Sequence, residues 1–146
     1  MNFFKPKFWD RNNISLFSIL LFPITLIIKL LNLLKKSVTK TYKFPIPVIC
    51  VGNIYLGGTG KTPFCIELFE ILKKLNKNPF IIRKKYDSFQ DEVELQKQKS
   101  PVYQNKKRVI ALHNAIRDGA NVAILDDGFQ DFSINKNLSI ICFNEK

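Results

Sequence analysis

The sequence predicts an α/β fold, a mostly parallel sheet with flanking helices, preceded by one N-terminal apolar helix. Three observations predict it. Short runs rich in Val and Ile, at residues 48–51, 80–82, 122–125 and 138–143, alternate with helical patterns, as strands covered on both faces require. Between the first run and the first of those helices lies a glycine-rich loop ending in Gly60, Lys61 and Thr62. A later run, 122–125, leads directly into Asp126 and Asp127.

The composition sets the bounds. With 146 residues the chain is long enough for one ordinary domain with a core, and too short for two plus a membrane anchor. A hydrophobic content of 46% excludes general disorder. The net charge of +11 points to a polyanionic partner, and its distribution says which. Up to Phe44 the charges are Lys5, Lys7, Arg11, Lys29, Lys35, Lys36, Lys40 and Lys43 against Asp10 alone, all but Lys29 flanking one apolar run. Lysines bracketing an apolar segment suit an anionic membrane surface. Nucleic acid is not an expected partner, because no aromatics interleave with the cluster Lys106, Lys107 and Arg108. Cys50, Cys65 and Cys142 sit in apolar runs at spacings that match no metal site, and read as small core residues in a reducing compartment.

Residues 14–34 are the most hydrophobic stretch, about 30 Å long as a helix at ~1.5 Å per residue. Pro23 interrupts its middle, and Ser18, Thr25, Lys29, Asn32 and Lys36 recur on one narrow stripe. A helix with one wet stripe prefers an interfacial or partly inserted posture to a true span. Basic residues at both ends give no orientation bias. No small-residue cleavage site follows, which argues against a secretory signal. Residues 37–47 form a basic, proline-punctuated join that cannot continue a helix. The predicted organisation is therefore a membrane-associated helix with a basic linker over 1–44 and a nucleotide-binding domain over 45–146.

Beyond the join, the pattern predicts a strand at 48–51, a helix over 63–75 and a strand at 80–82. It continues with a polar stretch over 84–100, loop or short helix, and a short strand near Val102. A helix over 107–117 and strands at 122–125 and 138–143 complete it.

The loop departs from the strict G-x-x-x-x-G-K-[ST] pattern, since Tyr55 stands at the first glycine. Gly57, Gly58 and Gly60 supply more permissive residues than the minimum, with Lys61 and Thr62 at the required positions. In such a loop Lys61 neutralises the β- and γ-phosphates, and the Thr62 hydroxyl binds Mg²⁺. An apolar strand ending in carboxylates places an acid beside that ion, so the pair of features is P-loop NTPase-like. Asp126 and Asp127 point in opposite directions if both are extended, and the pattern leaves open which one meets the metal.

Val51, Gly52 and Asn53, then Gly57, Gly58, Thr59, Gly60, Lys61, Thr62 and Pro63, then Asp126, Asp127, Gly128, Phe129 and Gln130, closely resemble the tetraacyldisaccharide 4'-kinase (lipid A 4'-kinase) family of Gram-negative bacteria. The family's looser glycine spacing accounts for Tyr55. The resemblance implies ATP and Mg²⁺ as cofactors, with Asn53, Gly57, Gly58, Thr59, Gly60, Lys61 and Thr62 around the nucleotide. It implies phosphoryl transfer to the 4'-hydroxyl of a tetraacyldisaccharide 1-phosphate, a lipid A precursor, at the cytoplasmic face of the inner membrane. It also implies Asp91 as general base, in a segment that keeps Arg83, Tyr86, Asp91 and Glu92 but has Val93 where the family has proline. Asp131 stands where a histidine usually follows the acidic motif. The family continues for about as many residues again beyond the matching region, so the chain resembles its N-terminal portion. A catalytically silent nucleotide-binding, membrane-docking fragment and another P-loop ATPase or GTPase remain the alternatives.

Overall fold

The computed structural model describes residues 16–53, 60–85 and 100–143. The chain divides into two compact units, Met1–Thr39 and Lys40–Lys146.

The described part of the first unit is a single helix, α1, Leu16–Val38. Pro23 lies inside it without ending it. Two of its hydroxyls turn inward: Thr25 Oγ1 donates to Phe22 O at 2.6 Å, and Ser37 Oγ to Leu33 O at 3.1 Å. Such back-bonding takes the Thr25 hydroxyl out of the wet stripe, in which Lys29, Asn32 and Lys36 stay exposed. Ser37 and Val38, expected in the non-helical join, extend the helix instead, because four preceding residues without Gly or Pro impose no stop. Every residue from Ile19 to Val38 is exposed, including Leu20, Phe22, Leu26 and Leu30. Among the described residues no helix is long and apolar enough to cross a membrane.

The second unit holds a five-stranded sheet. Its elements are β1 Val48–Asn53, α2 Lys61–Lys74, β2 Pro79–Lys84, β3 Val102–Asn105, α3 Arg108–Arg117, β4 Val122–Asp126 and β5 Leu138–Cys142. The strand order is β3-β2-β4-β1-β5, with every neighbouring pair parallel. Each crossover therefore returns to the same edge, and all carboxyl ends lie together.

Strand alternation divides the core. Val48, Cys50, Phe80, Ile82, Ala123 and Leu125 pack with Ala111, Leu112 and Ala115 of α3. Val51, Ile81 and Ile124 pack with Cys65 and Phe69 of α2 on the other face. The period of two is what assigns Arg83 of β2 and Asp126 of β4 to the α2 side. The three cysteines are free; burial raises the thiols of Cys50, Cys65 and Cys142 and keeps them protonated.

The join between the units is less irregular than its prolines suggest. Tyr42 forms a parallel bridge with Ile134, and Phe44 stacks edge-on against His113 at 5.0 Å. Pro47 O accepts from Ala123 N–H at 3.0 Å, and Val48 N–H donates to Asn137 Oδ1 at 2.9 Å. Residues 40–44 thus pair with the sheet-bearing unit, ahead of the composition boundary at 44/45.

Candidate nucleotide site

The site forms where β1 and β4 end side by side. Their register pairs Val51 with Asp126, so Asn53 and the acidic residues emerge at the same edge. In an open parallel sheet that edge, between strands whose connections leave in opposite directions, is where ligands bind.

α2 starts at Lys61 because Gly60 turns the chain with φ 72 and ψ 18, a left-handed conformation costly to residues with a Cβ. Thr62 and Pro63 complete its first turn, and Gly60 O accepts the Phe64 N–H at 3.0 Å. The helix thus starts two residues before the expected Pro63. Gly60 offers no side-chain cap and the first turn of the helix holds no acidic residue, so the helix itself supplies nothing to neutralise its positive end.

Lys61 Nζ donates to Asn53 Oδ1 at 2.8 Å and to Asp127 Oδ1 at 3.1 Å. One ammonium is thereby held over the gap between β1 and β4. The adjacent carboxylates take different places. Asp126 lies 2% exposed on the α2 side, its Oδ2 3.3 Å from Arg83 Nε. Asp127 is 55% exposed, because the strand ends and its φ turns to 57. Strand alternation holds only while the backbone is extended, so the expected opposition of the two side chains ends at this turn.

The glycines of the two motifs interlock. A Cβ on Gly52 would stand 2.5 Å from the Phe129 ring, and one on Gly128 would stand 3.1 Å from Cys50 Sγ. Gly52 and Phe129 therefore need each other's shape.

Arg108 went unread in the sequence beyond its place in a basic cluster. It is buried at the start of α3, where Nη2 donates to Asp127 O at 2.7 Å and Asp126 O at 3.3 Å, and Nη1 lies 3.4 Å from Asp131 Oδ2. Asp131 also accepts from the Ser133 N–H at 3.0 Å and from the Ser133 hydroxyl. Burial pushes its carboxyl up, but the Ser133 bonds and Arg108 outweigh this and hold it below its ordinary value. Lys136 Nζ donates to Phe129 O at 2.9 Å, and burial pulls that ammonium down. No local signal marks the Arg108 bonds, because they join residues 18 to 23 apart in sequence.

Asn53, Gly60, Lys61, Thr62, Asp126 and Asp127 thus gather at one edge. Gly57, Gly58, Thr59 and Asp91 lie outside the described residues, as do Tyr86 and Glu92. Among the described residues no group of three or more His, Cys, Asp or Glu side chains could hold a metal. The donors present, a hydroxyl and one or two carboxylates, nevertheless suit Mg²⁺, which takes hard oxygen ligands and completes its shell with phosphates and water.

A model of the family tetraacyldisaccharide-1-P 4'-kinase (LpxK) matches residues 16–100 and 83–146. The Tetraacyldisaccharide 4'-kinase of Pelagibacter ubique is 46% identical over 140 residues, covering 96% of this chain and 44% of that protein. That of Afipia carboxidovorans is 31% identical over 153 residues, 94% of this chain and 45% of its own length. Among solved structures, the "apo" form of LpxK from Aquifex aeolicus in complex with ATP aligns with a TM-score of 0.68 at 30% identity, over 83% of this chain and 47% of that one. The chain spans about half the length of the relatives it matches.

Proposed function

Since this chain belongs to the tetraacyldisaccharide-1-P 4'-kinase family, we propose that its Lys61 site binds ATP with Mg²⁺ and serves phosphoryl transfer to the 4'-hydroxyl of a tetraacyldisaccharide 1-phosphate, a lipid A precursor. The observation that carries this reading is the Lys61 ammonium, bonded to Asn53 and Asp127 beside the bare N-terminus of α2. A positive charge and a helix N-terminus meeting at one point make a site for phosphate.

In this reading Lys61 would neutralise the β- and γ-phosphates, and Gly57, Gly58, Thr59 and Gly60 are the loop residues assigned to the nucleotide. Thr62, Asp126 and Asp127 would hold Mg²⁺. Asp127 is the carboxylate that solvent reaches; Asp126 stands behind Arg83. Bound MgATP supplies the γ-phosphoryl group and leaves as MgADP. Asp91 takes the proton of the 4'-hydroxyl as that oxygen bonds to the γ-phosphorus. The α1 helix lies in the cytoplasmic interface of the inner membrane, its exposed leucines among acyl chains and Lys29, Lys35 and Lys36 at anionic headgroups.

ATP titration of the wild type and Lys61→Ala tests the donor site. We expect at least tenfold weaker binding at unchanged thermal stability; equal affinities would overturn the assignment. Phosphorylation of the lipid disaccharide separates this kinase from another P-loop ATPase or GTPase. For the membrane reading, binding to anionic vesicles should be lost when residues 1–36 are deleted, and retained binding would refute it.

A further inference from the structure

We propose that Arg108 is a positioning residue whose guanidinium clamps the turn after β4, so that the Asp127 carboxylate faces Lys61. This rests on the reading of Lys61 and Asp127 as the nucleotide site, and it explains how a residue outside that site sets its geometry.

Asp127 sits at a left-handed φ of 57, a region uncommon for a residue with a Cβ though Asp tolerates it better than most. Contacts from two other segments fix it there. On the β1 side, Asp127 N–H donates to Val51 O at 2.8 Å. From α3, the single Nη2 of Arg108 reaches both Asp127 O, at 2.7 Å, and Asp126 O, at 3.3 Å. Successive carbonyls of an extended strand point in opposite directions, so one nitrogen can reach two of them only where the strand has turned. The guanidinium is therefore fitted to the turned form and not to its extended alternative.

The other arm of the fork is fixed as well. Nη1 meets Asp131, which Ser133 holds in place through its amide and hydroxyl. Lys136 holds the next part of the same turn through Phe129 O. The turn carrying the site's carboxylates is thus gripped by two cations, with Asp131 balancing one of them.

Helix packing alone does not account for an arginine here. The other buried residues of α3 are Ala111, Leu112 and Ala115, and a guanidinium at 6% exposure carries a desolvation cost that an aliphatic side chain would avoid. Its Nε is buried without a hydrogen-bond partner among the described residues, a further cost. What arginine supplies is a rigid planar fork whose separate arms bond carbonyls at one point and a carboxylate at another, where a lysine ammonium offers a single point of contact.

The test compares wild type, Arg108→Lys and Asp131→Asn, with Arg117→Ala, at the exposed end of the same helix, as control. Two readouts are taken on each folded protein. The first is the backbone conformation of Asp127 by NMR, from its amide coupling and shifts. The second is affinity for ATP with and without Mg²⁺. We expect Asp127 to leave the left-handed region in Arg108→Lys, and the gain in affinity on adding Mg²⁺ to fall at least tenfold while Mg²⁺-free ATP binding stays within twofold. Asp131→Asn should move both readouts the same way by less, and Arg117→Ala should move neither. If Arg108→Lys lowers only the unfolding temperature, with Asp127 still left-handed, Arg108 is a packing residue and the proposal fails. If Arg108→Lys does not fold, an unmoved Asp127 in Asp131→Asn overturns it. Failure of the wild type to bind ATP would sink the nucleotide reading, while the NMR result would still decide the clamp.

Discussion

The floor of the candidate site and its rim are built from the same kinds of residue and put them to opposite uses. In the floor, Asp126 pairs with Arg83 at 2% and 15% exposure. At the rim, Asp127 pairs with Lys61 at 55% and 22%. The two acids are chain neighbours, and one backbone turn separates a buried pair from an open one. A buried pair is costly to break because the survivor is left charged in a poor solvent, whereas an exposed pair contributes little, since water replaces the partner. Stability is therefore concentrated in the floor, and a ligand is free to rearrange the rim.

The glycines show the same contrast. Gly52, in the floor, is required by space, with the Phe129 ring lying against it; Gly60, at the rim, is required by backbone angle, with nothing among the described residues within 4 Å of its would-be Cβ.

Substitutions sharpen this division, from the largest effect downwards. Arg83→Leu leaves Asp126 in the core without that cation and should cost about 3 kcal/mol of unfolding free energy by denaturant titration. Gly52→Ala should cost about 2 kcal/mol, through overpacking against Phe129, and Phe129→Leu in the same chain should recover part of the loss. Gly60→Ala, which meets no clash, should cost about 1 kcal/mol through the left-handed backbone alone. At the rim, Asp127→Asn should change stability by under ~1 kcal/mol, while weakening MgATP binding at least tenfold in calorimetry. A rim pair as costly to break as the floor pair would erase the distinction.

The smallest effect is a pH dependence. The folded-state pKa of Asp131 is lowered, so its contribution is fully present above the unfolded value of about 3.9 and is lost as pH falls through the lower folded value. Asp131→Asn should therefore be less stable than wild type at pH 5 to 7, and the gap should close on acidification below about 3.9. A gap of constant size across that range would show that Asp131 titrates alike in both states.

Much of the fold was legible because its signals are local. The alternation of Val- and Ile-rich runs with helical patterns marks β1, β2, β4 and β5, and the glycines before Lys61 announce the start of α2, though by two residues too late. The side-chain alternation that sorts Ile81 from Ile82, or Ile124 from Leu125, between the two faces is likewise a property of any extended chain. The end of α1 was misjudged for a local reason too, since the prolines that stop a helix begin only at Pro45.

What the residues themselves determined is the inventory: one ammonium, one hydroxyl and two carboxylates at strand and helix ends, and a family pattern joining Gly52 to Phe129 without saying why. Tertiary structure alone decided their arrangement. It set Asp126 against Arg83 and turned Asp127 to Lys61. It also packed Phe129 onto Gly52, bridged Tyr42 to Ile134, and drove Arg108 beneath the acidic turn. The physical reason is range. Alternation and capping act within a few residues, whereas a buried charge finds its partner only when the sheet has brought distant segments together and removed the water between them.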